Sequence, residues 1–248
     1  MPRRTSTLRG ARIHVSVRTT SGDSGHFDEE LPHVAIDLRE FVDPGHTALV
    51  TVEVQTGVVG EHAVLPELAR AADAILPKIA ALARSARAAG VPVIHCTATP
   101  RADGLGANHN ARLWGAVRKR PEQARPDAAV HDAVGVAPGD LVMPRLHGLS
   151  PMTSTSLDPV LRNMGVTTIV ATGVSVNIAV MGFAFEAVNL GYQLVIPRDA
   201  VAGVDPAYVD AVFEGTLSLI ATVTTTEILL GMWEQDAATQ RRTQGGTR

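Results

Sequence analysis

A single α/β domain, with a six-stranded, mostly parallel sheet and helices on both faces, is the fold this sequence predicts, and three observations predict it. Short, nearly continuous apolar runs such as Ala48-Leu49-Val50-Thr51-Val52 read as strands covered on both faces, because a half-solvated strand would alternate. Between these runs apolar residues recur at helical spacing, so strands and helices alternate along the chain, the order that builds a parallel sheet. The 248 residues suit one such domain and suffice to bury a sizeable core.

Residues 1–46 are rich in Arg, Ser, Thr, Gly and Asp and read as an extension that wraps the domain or a neighbouring subunit. The domain itself is expected over 47–234, starting with the strand at Thr47. Pro66 opens a long helix that carries Leu68, Ala71, Ala72, Ile75, Ile79 and Leu82 on one face and stops at Gly90, with Pro77 as a kink position. Further strands are expected at 91–97, 140–144, 167–172, 193–196 and 222–226. Helices are expected at 110–119, from Ser156, at 176–190, at 206–220 and through Trp233. Residues 235–248 lose apolar periodicity and read as a disordered tail. Ligands of such sheets bind beyond the carboxyl ends of the strands, near the switch in strand order, which selects the residues to question.

Composition narrows the function. Lys and Arg number 22 against 25 Asp and Glu, a net charge of −3, so there is no basic footprint for nucleic acid. No apolar run reaches the roughly 18 residues of a membrane span, and the basic N-terminus lacks the apolar core of a secretory signal. A cytoplasmic protein with a small-molecule partner is expected, with no nucleic acid and no membrane. Cys96 is the sole cysteine, which excludes an intramolecular disulfide and a Cys-based zinc site. The nine histidines show no ligand spacing, and neither a dinucleotide fingerprint nor a Walker motif is present, so no metal and no cofactor are expected. Gly173-Val174-Ser175-Val176-Asn177 imitates a serine nucleophile elbow, but Asn177 replaces the final glycine, and a Ser175 that caps the next helix is the better reading.

Three segments together resemble the isochorismatase-like, or cysteine hydrolase, superfamily. They are Asp43-Pro44-Gly45-His46-Thr47-Ala48-Leu49-Val50-Thr51-Val52-Glu53-Val54-Gln55, Gly173-Val174-Ser175-Val176-Asn177-Ile178-Ala179-Val180, and the run from Ala187 through Gly191-Tyr192 to Asp199-Ala200. The resemblance covers about Asp43 to Gly231. It implies an isochorismatase-like sheet of the kind already derived and commonly a homo-oligomer, a dimer or tetramer. It also implies oxyanion-binding amides near the start of the helix after the fourth strand, with a non-proline cis peptide in the vicinity. Members that cleave amides carry an Asp on the first strand, a Lys on the third and a nucleophilic Cys at that helix. Here those positions read Glu53, Met143 and Ala179. Methionine holds no charge and alanine cannot attack a carbonyl, so covalent cysteine chemistry is not expected at this site.

What remains is a carboxylic acid and an arginine. Arg145 lies two residues beyond Met143 and so on the same side of an extended segment, where its guanidinium suits a ligand carboxylate but cannot shuttle protons. Glu53 ends an apolar strand, where a carboxylate is costly to ionise without a partner, a setting that suits acid/base catalysis. The competing reading is that Glu53 pairs with Arg145 or caps loop amides and does no chemistry. Gln55, His95, Asn177, Ala179, Met143, Trp114 and Arg112 complete the candidate ligand-binding set, His95 and Cys96 having core packing as their bland alternative. Two functions are therefore expected to compete: a non-covalent hydrolase or lyase working through Glu53, and a catalytically inactive ligand-binding or oligomer-forming subunit.

Overall fold

The structure, a computed structural model, describes residues 12–13, 36–118 and 127–245. Most of the proposed N-terminal extension lies outside these residues, apart from a two-residue antiparallel ladder between Arg12–Ile13 and Ile36–Asp37.

The strands of the main sheet are β1 (Thr47–Val52), β2 (Val93–Ala98), β3 (Leu141–Arg145), β4 (Thr168–Val174), β5 (Gln193–Pro197), β6 (Val201–Ala202) and β7 (Thr222–Thr224). Their order is β3-β2-β1-β4-β5-β7, with the two-residue β6 beside β4, and every pairing is parallel. The expected six-stranded parallel sheet is thus present, with one short strand added. Order reverses between β1 and β4, which places the ligand-binding crevice of an open α/β sheet at their carboxyl ends.

The α-helices longer than four residues are α1 (Pro66–Ala72), α2 (Leu76–Ala89), α3 (Arg112–Arg118), α4 (Leu157–Asn163), α5 (Met181–Asn189), α6 (Pro206–Val212) and α7 (Thr226–Gly245). A wide π turn, Val176–Val180, leads into α5, and another, Phe213–Leu217, continues α6. Side chains alternate across β1 and fill two cores. Leu49 packs with α1, α2 and α7 on one face, while Ala48, Val50 and Val52 pack with α4, α5 and α6 on the other. All six residues of β1 are buried, which is why the strand reads as an unbroken apolar run.

Two expectations are corrected. Pro77 does not kink one long helix; it stands in the first turn of α2, where its missing N–H costs nothing, so the chain makes two helices in place of one. The end at Gly90 is as expected, with a left-handed φ of 77°. The expected disordered tail from 235 is helix as far as Gly245. Its polar side chains hide the reason, because they are used internally. Gln240 Nε2 donates to Ala89 O at 2.9 Å, Arg39 donates to Asp236 and Gln235, and Trp233 Nε1 donates to Val42 O. The segment Leu38–Val42 is therefore stapled onto α7, with Leu38 and Val42 in the core. No helix among the described residues is long and apolar enough to cross a membrane.

Candidate functional site

Four segments converge where the strand order reverses. Val52 of β1 stands between Cys96 of β2 and Gly173 of β4, and one strand further out Ala98 is registered with Arg145 of β3. Gly173 sits so close to β1 that a Cβ there would lie 2.2 Å from Val52 O. Only glycine permits this approach, which sets the loop after β4 directly against the end of β1.

Glu53 follows β1 in the left-handed region, φ 55°, with its N–H donating to Cys96 O at 2.9 Å. A non-glycine residue there is uncommon, and such conformations gather at functional sites. From this position its Oε1 accepts from Arg145 Nη2, joining the two in an ion pair. The Glu53 side chain is 18% exposed and that of Arg145 only 3%. Arg145 Nε and Nη1 are buried and have no partner among the described residues. A guanidinium with five N–H donors is thus left short of acceptors, a costly state unless something fills it.

The other expected residues divide. Gln55 is fully buried and both ends of its amide are taken by Ala98: Nε2 donates to Ala98 O at 3.0 Å and Oε1 accepts from Ala98 N at 2.7 Å. It extends the β1–β2 ladder as a strand residue would. His95 points to the opposite face, into a chain in which Thr51 Oγ1 lies 2.9 Å from Nδ1 and Asp140 Oδ2 lies 3.3 Å from Nε2. Asp140 is in turn held by Arg87 Nη2 at 2.6 Å. Burial depresses the His95 pKa below the ordinary imidazole value, against the pull of Asp140. It is the hydrogen-bonded core histidine of the bland reading. Met143 is registered with Cys96 and packs on the second core, Ala179 is buried in the π turn, and Asn177 is half-buried beside it. Arg112 is exposed. Ser175 stands at the cap position, but its hydroxyl makes no capping hydrogen bond, and the Val174–Ser175 peptide is cis.

Cys96 is 1% exposed, and burial pushes its thiol up to about 12 against the opposing field of Arg145. A thiol so placed is inert. The native protein is expected to resist iodoacetamide at pH 8 and to take one label after unfolding; rapid labelling of the folded chain would show an accessible thiolate.

A cavity of about 370 Å³ lies beside the π turn, with Ile178 in its wall. Asn108, Asn110, Trp114, Leu149, Ser150, Ile178 and Glu186 are among its walls. Of the expected residues only Trp114 lines it. The signal for Glu186 was available in the sequence, as the single charge in the otherwise apolar run Met181-Gly182-Phe183-Ala184-Phe185-Glu186-Ala187. Among the described residues no group of three or more His, Cys, Asp or Glu side chains is placed to hold a metal ion.

A family model described as Isochorismatase domain matches residues 47–228. A ureidoacrylate amidohydrolase RutB from Pseudomonas syringae pv. syringae is 31% identical over 196 residues, 72% of this chain and 79% of the relative. A cysteine hydrolase from Pseudomonas syringae pv. phaseolicola superposes with a TM-score of 0.68 at 25% identity, covering 79% of this chain and 96% of that one. An N-carbamoylsarcosine amidase from Thermoplasma acidophilum superposes with a TM-score of 0.57 at 25% identity, covering 73% and 96%.

Proposed function

Because this chain belongs to the isochorismatase domain family, we propose that it binds a small carboxylated molecule at the end of β1 and hydrolyses it without a covalent intermediate. The observation that carries the reading is Arg145, a buried guanidinium that pairs with Glu53 and keeps two nitrogens without acceptors among the described residues. A ligand carboxylate is the acceptor that matches a guanidinium in both charge and shape. The names of two relatives point the same way, since ureidoacrylate and N-carbamoylsarcosine each carry a carboxylate and a terminal carbamoyl group.

With Ala179 and Met143 where the amide-cleaving members carry Cys and Lys, and with the Cys96 thiol raised by burial, water is the nucleophile in this reading. Glu53, the anionic half of the pair, takes a proton from that water as its oxygen attacks the carbamoyl carbon. The C–N bond to the terminal nitrogen then breaks, Glu53 returns the proton to that nitrogen, and ammonia leaves. Amides of the π turn Val176–Val180 are the donors nearest in the chain to the position the resemblance gives the oxyanion.

Calorimetry with ureidoacrylate and with its carboxamide tests the anchor. The native protein is expected to bind the acid and to discriminate against the carboxamide, and Arg145→Met to lose at least about tenfold in affinity for the acid alone. Equal affinity for both ligands, or undiminished binding by Arg145→Met, would remove Arg145 from the site. A second reading, ligand binding without turnover, is favoured by the occupation of Glu53 by Arg145. It predicts the same calorimetry with no release of ammonia.

A further inference from the structure

The cavity beside the π turn differs in sign from the site at Arg145. Its ten lining residues include one acid, Glu186, and no lysine, arginine or histidine. Glu186 forms no ion pair among the described residues: its Oε2 accepts from Ser150 Oγ and from Thr153 N, at 3.1 Å for the latter. Neutral donors hold the carboxylate in place without cancelling its charge. Trp114, Leu149 and Ile178 give the same space apolar and aromatic walls, and the asparagine Asn110 adds an amide. Trp114 Nε1 is buried and has no acceptor among the described residues.

We infer that this cavity is a binding site for a small organic ammonium ion. Its volume, about 370 Å³, lies in the range of small-molecule sites. Tryptophan is the side chain best suited to a cation over its ring, and a carboxylate on the same wall supplies the counter-charge. The two sites attract opposite charges, so occupation of this one does not depend on hydrolysis at Glu53.

Intrinsic fluorescence of the full chain reads the site directly. The protein has two tryptophans, and Trp233 is fully buried with its Nε1 donating to Val42 O, so Trp114 is the responsive one. Choline is the probe, at constant ionic strength; 3,3-dimethyl-1-butanol, its neutral counterpart of the same shape, is the control. Choline is expected to change the fluorescence saturably and the alcohol to leave it unchanged. Trp114→Phe should abolish the signal. Glu186→Gln, which keeps an oxygen for Ser150 and Thr153, should bind choline at least about tenfold more weakly by calorimetry, with its fold checked by circular dichroism. No saturable change with choline, an equal response to the alcohol, or unaltered binding by folded Glu186→Gln would each overturn the inference.

Discussion

Glu53→Ala is expected to cost about 3–5 kcal/mol of stability, far more than a residue at the edge of a site ordinarily does, because it strips the counter-charge from a buried cation. Arg145 is 5% exposed and, among the described residues, its only side-chain hydrogen bond runs to Glu53. Without that carboxylate the guanidinium must either stay buried and unpaired or drag the end of β3 into solvent. The double variant Glu53→Leu with Arg145→Met removes both charges and should recover most of the loss, since apolar replacements of a buried pair are often neutral or better. Urea unfolding of the native, single and double variants measures this. A single variant within about 1 kcal/mol of native would mean that Arg145 does not depend on Glu53.

Gly173→Ala is expected to be at least as damaging, at about 4 kcal/mol or more. The added carbon would lie 2.2 Å from Val52 O and 2.9 Å from Val52 N, backbone atoms of the central strand that no rotamer change can move, and φ is +113°. To relieve the clash β4 must part from β1, which separates the π turn from Glu53. Gly191→Ala is the control: φ is +90° but nothing lies within 4 Å of its Cβ, so only the left-handed penalty of about 1–2 kcal/mol applies. Thermal unfolding of both variants separates contact from conformation, and equal losses would refute the close approach.

The fold was legible because β1, β2 and β4 are buried along almost their whole length and write that burial into the sequence as apolar runs. The helix from 235 to 245 was not legible, because Gln240 and Asp236 are satisfied by partners at Ala89 and Arg39 far away in the chain. Polar residues with distant partners look like solvent-facing ones until the contact is seen. At the site, the alternation that put Arg145 on the same side as Met143 led to the ion pair with Glu53. Gln55 entered the ligand-binding set through the resemblance of the segment that ends on it; in the structure its amide completes the β1–β2 ladder through Ala98, a use that leaves no mark in local sequence. The cavity at Glu186 escaped because its walls come from loops and helices separated by up to 78 residues, Asn108 to Glu186, and periodicity reports only neighbours.

In the proposed reaction an ion pair at the end of β1 stands in place of sulfur chemistry, with Glu53 handling the proton. The rate of ammonia release from ureidoacrylate by Glu53→Gln, set against that of the native protein, tests it most directly. A fall of at least about 100-fold is expected, the scale of a lost general base; release at the native rate would remove Glu53 from the proton transfer.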